Sequence, residues 1–299
     1  MEAAGLGAEP PKRSVSRRLA DLFHGRPRLQ VGALLSGPLA WLVILYLGSL
    51  VVLLIASLWS VDALSGELIK GFTFDNYKEL WNTDVYRTVA FRTIGIASAV
   101  TVTDALLAFP IAFYMAKLAS PRVKGILIVA VLMPLWSFYL VKVYAWQTML
   151  GANGLINWAL DPLGINGPGF GAKAVWIVES YLWLPYMILP IYAGLERIPD
   201  NLLSASEDLG AKPGRTFRRV ILPLAFPAVV AGSIFTFSLT LGDYITPSLV
   251  SPDTQFIGNV VFTSHTNNLP LASAFATVPI VVMVAYLLIA RRLGAFEHL

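Results

Sequence analysis

The segment DNLLSASEDLGAKPGRTFRRVILPLAFP, residues 200–227, carries acids, bases, a glycine and prolines, and then runs straight back into apolar sequence. Its local signals agree with one another. Asp200 follows Pro199 and suits the cap of a helix over Asn201–Leu209. Gly210 supplies a left-handed stop. Pro213 suits the first turn of a second short helix bearing Arg215, Arg218 and Arg219. The spacing therefore predicts two short helices joined at a glycine bend. Ala205 and Ser206 are small enough to let another surface approach closely. Such an element is too ordered for a linker and too small for a core of its own, so it is expected to pack against something.

The surrounding chain explains why a polar element matters here. Of 299 residues, 56% are hydrophobic and 13% charged, where a soluble domain carries about a quarter charged residues. The apolar residues come in blocks, and a bilayer-spanning helix needs about 20 of them. Six blocks qualify: Ala33–Leu58, Val89–Met115, Ile126–Met149, Val175–Leu195, Ile221–Gly242 and Leu269–Ala290. Prolines inside them, such as Pro110, Pro134, Pro185, Pro190, Pro227 and Pro279, are tolerated where neighbouring helices satisfy the freed carbonyls. The expectation is an all-α membrane protein with six transmembrane helices.

The basic residues set an orientation. With the N-terminus inside, the cytoplasmic segments hold 16 of the 22 Lys and Arg residues. They include Lys117, Arg122 and Lys124 between spans two and three, and Arg197, Lys212, Arg215, Arg218 and Arg219 between spans four and five. Positive residues resist translocation, so both termini are expected in the cytoplasm. Residues 1–30 read as a basic, mostly disordered cytoplasmic tail that sets topology, with contact to anionic lipid as the alternative. Residues 31–295 form the transmembrane domain, with a cytoplasmic loop at 196–219. The first apolar block is too long for a signal-peptide core. Outside, Ser60–Thr88 is expected to be partly folded, Gly151–Ala172 to hold a short amphipathic piece and a loop, and Asp243–Asn268 to be a third loop.

Several chemistries are excluded. There is no cysteine, and His24, His265 and His298 are too scattered for a metal-ligand spacing. No metal site or Ser-His-Asp set is visible. No GxxxxGK[ST] phosphate loop occurs, so the chain binds no ATP by that route. Its net charge of +4 follows membrane topology and implies no nucleic acid.

The polar residues inside the spans are candidates for a transport path. Asp104, near the middle of span two, is too costly to face lipid. It lines either a path or a hydrogen-bonded helix contact, with Thr101 or Thr103 as partner. Glu179, Trp183 and Tyr186 share one face of span four. A carboxylate with aromatic faces suits an organic ammonium; the alternative is an outer aromatic belt with Glu179 solvated. Asp243 and Tyr244, between Gly242 and Pro247, mark a helix break suited to a gate or outer mouth. Three acids near one path suit a cationic solute. A competing class is an ion-coupled secondary transporter or channel, in which these acids carry ions and no ATPase is needed.

SASEDLGAKPGRTFRRVILP (204–223) resembles the EAA loop of the membrane subunits of binding-protein-dependent ABC importers. Ala205, Gly210, Val220, Leu222 and Pro223 fall at matching places; Ser204 stands where the family usually has Glu, and Ser206 where it usually has Ala. Glu207 and Asp208 are the neighbouring acids available to replace the missing one. PLWSFYLVKVYAWQTMLGANGLIN (134–157), LWLPYMILPIYAGLERIP (182–199) and SLTLGDYITPSLV (238–250) resemble spermidine/putrescine-type permease subunits. Lys142 sits where those sequences often have Arg, and a point charge cannot reproduce a planar fork. The resemblance implies a type I importer permease fold in the bacterial inner membrane, with the loop coupling to an ATPase through Ser204 to Asp208, Gly210, Pro213, Arg215, Arg218 and Arg219. It also implies a second permease subunit, two ATPase subunits and an external substrate-binding protein. ATP and Mg2+ would be used by the ATPase subunits and no cofactor held by this chain. The solute is expected to be small and cationic, such as a polyamine.

Overall fold

The computed structural model of the protein describes residues 27–62 and 65–292. Residues 1–26 lie outside the described residues, and with them most of the expected tail; residues 27–30 already belong to a helix. That helical stretch runs through α1 (Pro27–Trp41), a π-helical stretch Leu42–Leu47 and α2 (Gly48–Ala56). Residues up to Ile55 form one unit and Ala56–Leu299 a second.

The second unit opens with a folded segment, as the sequence predicts for Ser60–Thr88. A two-stranded antiparallel ribbon, β1 (Ser60–Val61) and β2 (Leu68–Ile69), leads into α3 (Asp75–Asn82). Asn76 ties this piece down by donating to the carbonyls of Ser57 and Trp59 at 2.8 and 2.7 Å. The long helix α4 (Asp84–Phe113) follows and ends in a π-helical turn, Tyr114–Leu118.

The third apolar block is not one straight span. It forms α5 (Pro121–Trp136) and α6 (Tyr139–Leu150), bent by 91° at Ser137–Phe138. The carbonyl of Pro134 at the end of α5 accepts from Lys142 Nζ at 3.0 Å and Ser137 Oγ at 3.3 Å. Lys142 thus serves the C-terminal end of the preceding helix, where a cation is favoured. A short helix α7 (Leu155–Leu160) and a loop come next, pinned by Asn157, which donates to Gly151 O and accepts from Gly167 N.

Helices α8 (Ala172–Glu196) and α11 (Leu222–Gly242) complete the centre with α4. Between them lie α9 (Asp200–Asp208), α10 (Pro213–Thr216) and a π-helical stretch Phe217–Ile221 that runs into α11. Toward one end, Ala108, Ala112 and Met115 pack against Met187, Ile191, Leu195, Ile221 and Ala225. The alanines let the backbones approach, which is how helices pack where burial from water supplies no drive.

The expected loop Asp243–Asn268 instead holds two helices whose inner faces are buried. It folds as α12 (Ile245–Val250) and α13 (Ile257–Ser264) before the last helix α14 (Leu269–Arg292). Val250 and Phe256 join the core of α6 and α8, while Ile257 and Val260 pack on Val89, Leu271 and Phe275. Among the described residues five helices are long and apolar enough to cross a membrane, and six spans result if the bent α5–α6 pair is one.

Candidate functional site

The polar loop has the shape its turn residues dictate, with one correction. Gly210 has φ +74°, the left-handed stop, and Pro213 opens α10 at its first turn. Asp200 is not the cap. It is the first residue of α9, behind Pro199, and makes no capping bond. Its carboxylate accepts instead from Lys117 Nζ at 2.7 Å, across 83 positions of sequence. That hydrogen bond and the lysine's charge hold the Asp200 carboxyl below its ordinary pKa. The ion pair is therefore present at neutral pH and is lost only as pH falls through the lowered value. Lys117 also donates to the Ile198 carbonyl at 2.6 Å, and Lys124 to Glu196 at 2.8 Å.

The two short helices are joined by a hydrogen bond between the Ser206 and Thr216 hydroxyls, 2.8 Å apart. Ser204 hydroxyl folds back on the Asp200 carbonyl at 3.3 Å, so the residue replacing the usual Glu points no charge outward. Ala205, Glu207, Asp208, Arg215, Arg218 and Arg219 are exposed. The residue that the sequence reading missed is Leu209, 88% exposed at the tip of α9. It edges a cavity of about 370 Å³ whose walls include Ala205, Ser206, Arg215 and Arg219. A bare leucine beside an apolar hollow rimmed by arginines is a surface shaped for another protein. Its sequence signal was a leucine placed immediately before the helix-ending glycine.

The second constellation lies in the interior. Asp104 of α4 is fully buried and Glu179 of α8 is 1% exposed, which overturns the reading of Glu179 as a solvated belt residue. Among the described residues neither oxygen of Asp104 has a hydrogen-bond partner, nor do Glu179 Oε2, Ser180 Oγ or Trp183 Nε1. The expected Thr101 and Thr103 contacts to Asp104 do not form: Thr101 donates to the Ala97 carbonyl, and Thr103 accepts from Trp176 Nε1. Asp104 and Glu179 sit on α4 and α8, which pack against each other, and Trp183, one turn from Glu179, stacks on the Tyr139 that bonds Asp243.

Asp243 holds the break after α11. Its Oδ1 accepts from the backbone of Ile245 at 2.9 Å and Thr246 at 3.3 Å, which starts α12. Its Oδ2 accepts from Tyr139 Oη at 2.5 Å, and Tyr139 also meets Thr246 Oγ1 at 2.8 Å. Tyr139 stacks on Trp183 at 5.9 Å, and Trp183 packs on Tyr186 at 6.1 Å. Tyr139 thus joins the break to the aromatic face of α8. Tyr244 goes elsewhere: it stacks on Phe262 at 4.6 Å in a hollow between α13 and α14. Among the described residues no group of three or more His, Asp or Glu is placed to hold a metal ion.

Long apolar helices, a folded polar loop between two of them and carboxylates inside the bundle define a multi-pass membrane protein built for transport. Residues 94–295 match the family described as binding-protein-dependent transport system inner membrane component. The chain belongs to that family: it is a permease subunit of a binding-protein-dependent ABC importer, in the bacterial inner membrane. It is similar to the inner membrane ABC transporter permease protein YdcU of Escherichia coli (strain K12), 42% identical, covering 97% of this chain and 98% of that one. It is also similar to the spermidine/putrescine transport system permease protein PotB of Haemophilus influenzae, 32% identical over 72% of this chain and 77% of PotB. The fold is shared with a chain of a bacterial alginate ABC transporter crystallised with its pentasaccharide-bound periplasmic protein, at TM-score 0.70 and 14% identity. That match covers 93% of this chain and 98% of the other, in keeping with the expected type I permease architecture.

Proposed function

We propose that this subunit forms half of the path for a small organic cation, a polyamine by preference, and is driven through its loop by a separate ATPase. The observation that carries the solute class is the trio Asp104, Glu179 and Asp243: among the described residues none of them is in an ion pair with Lys, Arg or His. Buried carboxylates without cations of their own suit a cargo that brings the charge. Tyr139, Trp183 and Tyr186 add ring faces to which an alkylammonium is attracted. The spermidine/putrescine names of the PotB relatives point the same way. Asp104 and Glu179 are closed off in the structure and Asp243 is half-buried, so the bundle opens before cargo reaches the two inner acids.

The drive enters through Leu209 and the hollow behind it, the surface offered to an ATPase subunit. That arrangement puts the loop and both termini in the cytoplasm, in agreement with the 16 basic residues counted there. This chain holds no cofactor in the proposal; ATP and Mg2+ belong to two ATPase subunits. A second permease subunit, different from this one, completes the path, an external binding protein delivers the solute, and lipid surrounds the whole.

Uptake of labelled putrescine by the complex in proteoliposomes, with ATP supplied on the loop side, tests both parts. Asp104→Asn and Glu179→Gln are each expected to lower turnover by roughly ten- to a hundredfold, the scale of one hydrogen bond to a charged group. Unchanged turnover in both variants rejects the cationic path. Uptake that proceeds without the ATPase subunits selects the ion-coupled alternative, which would use the same acids.

A further inference from the structure

We infer that Lys117 is a positioning residue that passes movement of the docking helix α9 to span α4, and through it to the buried carboxylates. The inference rests on the coupling role proposed for the loop.

The geometry is specific. Lys117 is nearly enclosed, its side chain 10% exposed, although it sits at the end of a span where lysines usually reach water. Its ammonium takes two acceptors on either side of Pro199: the carbonyl of Ile198 and the carboxylate of Asp200. One precedes the loop's proline and the other begins α9. Bonding both fixes the direction in which α9 leaves the membrane bundle.

Packing does little of this job. α9 meets the core through Leu203, and beside it a cavity of about 670 Å³ lies between α9, the end of α4 and the Phe217–Ile221 stretch. The Ser206–Thr216 bond stays within the loop. The π turn holding Lys117 is closed by Ala119 N donating to Tyr114 O at 2.9 Å, five residues back. Such a turn adds a residue to the helical register and marks functional positions in helices. Asp104 lies 13 positions up the same continuous helix, about 20 Å at 1.5 Å per residue. A pull on Asp200 is thereby a pull on the element that carries Asp104.

Lys124 is a built-in comparison. Its partner Glu196 is the last residue of α8, outside α9, and Lys124 is itself more open than Lys117, at 27% against 10%. It anchors the base of the loop and does not touch α9.

The test is the number of ATP molecules hydrolysed per putrescine imported by the full reconstituted complex. Lys117→Met is expected to raise that ratio several-fold, through loss of the enclosed Ile198 bond together with a weaker, exposed ion pair. Lys117→Arg, which can still donate to both acceptors, is expected to restore most of it, and Lys124→Met to leave it unchanged. A normal ratio in Lys117→Met overturns the inference, as does an equal rise in Lys124→Met. If Lys117→Met does not accumulate, Asp200→Asn decides: it removes the charge and leaves the Ile198 bond, and an unaltered ratio there overturns the inference. The coupling reading is tested apart from this one by Gly210→Pro. Lost uptake in that variant beside a normal ratio in Lys117→Met rejects the lysine's role alone.

Discussion

Gly210→Pro is expected to reach the membrane in normal amount and to support no ATP-driven uptake. Gly210 has φ +74°, and nothing lies within 4 Å of where a β-carbon would sit. The position is therefore constrained by backbone conformation and not by space. Proline fixes φ near −65° and removes the N–H that Gly210 donates to Glu207 O at 2.8 Å. It also disfavours helical geometry at the preceding residue, and that residue is Leu209, the exposed tip. The end of α9 must unwind and Leu209 must turn away. No membrane helix is altered, so insertion continues. A graded series gives the argument its control. Gly210→Asn is expected to keep most uptake, because Asn tolerates the left-handed region. Gly210→Ala is expected to lie between, with a conformational cost of about 1–2 kcal/mol. Normal uptake by the proline variant would mean that the shape of the loop is not what the ATPase reads.

That same glycine shows what a sequence makes legible. Gly210 and Pro213 act through their own backbones, so their effect is visible without any partner. The opposite holds for Asp200. Its side chain suits a cap, but Lys117 lies beside it in space and 83 positions away in sequence, and an ion pair outcompetes a local bond. Lys117 itself read only as one of many basic residues on the inner side. Glu179 was ambiguous for a related reason: a carboxylate at helical spacing from aromatics fits both an interface and an interior, and only packing assigns depth. The bend in the third block had a signal in Pro134 and Ser137, but Lys142 reaching back across it to the Pro134 carbonyl is a contact only the fold reveals. The stretch from Asp243 carries Asp, Pro, Ser and Asn, residues that serve loops and helix starts alike. Those residues start α12 and α13 instead of exposing them: Asp243 bonds the first amides of α12, and Asn259 Oδ1 accepts from the Phe256 amide at the start of α13.

The tightest test of the fold concerns α8 and α11. A β-carbon added at Gly194 would lie 2.3 Å from Ala228 Cβ, and one at Gly232 would lie 2.7 Å from Met187 Sδ and 3.2 Å from the Met187 backbone. Ala228 and Gly232 are four apart on α11, a pair of small residues one turn from each other that lets two helices meet closely. Gly194→Ala is expected to cost about 1–3 kcal/mol by overpacking, read as a lowered Tm of the purified complex. Gly194→Leu is expected to leave no folded subunit. The clash at Gly194 is with a β-carbon, which no rotamer change can move, so relief must come from the other helix. Ala228→Gly removes that atom, and the Gly194→Ala, Ala228→Gly pair is expected to recover most of the loss although each substitution alone destabilises. Strictly additive losses would mean that the helices do not meet at this point. The contact bears on transport as well as stability, because α8 carries Glu179 and α11 runs from the docking loop to Asp243. Rescue of Tm without rescue of uptake would show that the acids tolerate less displacement than the fold does.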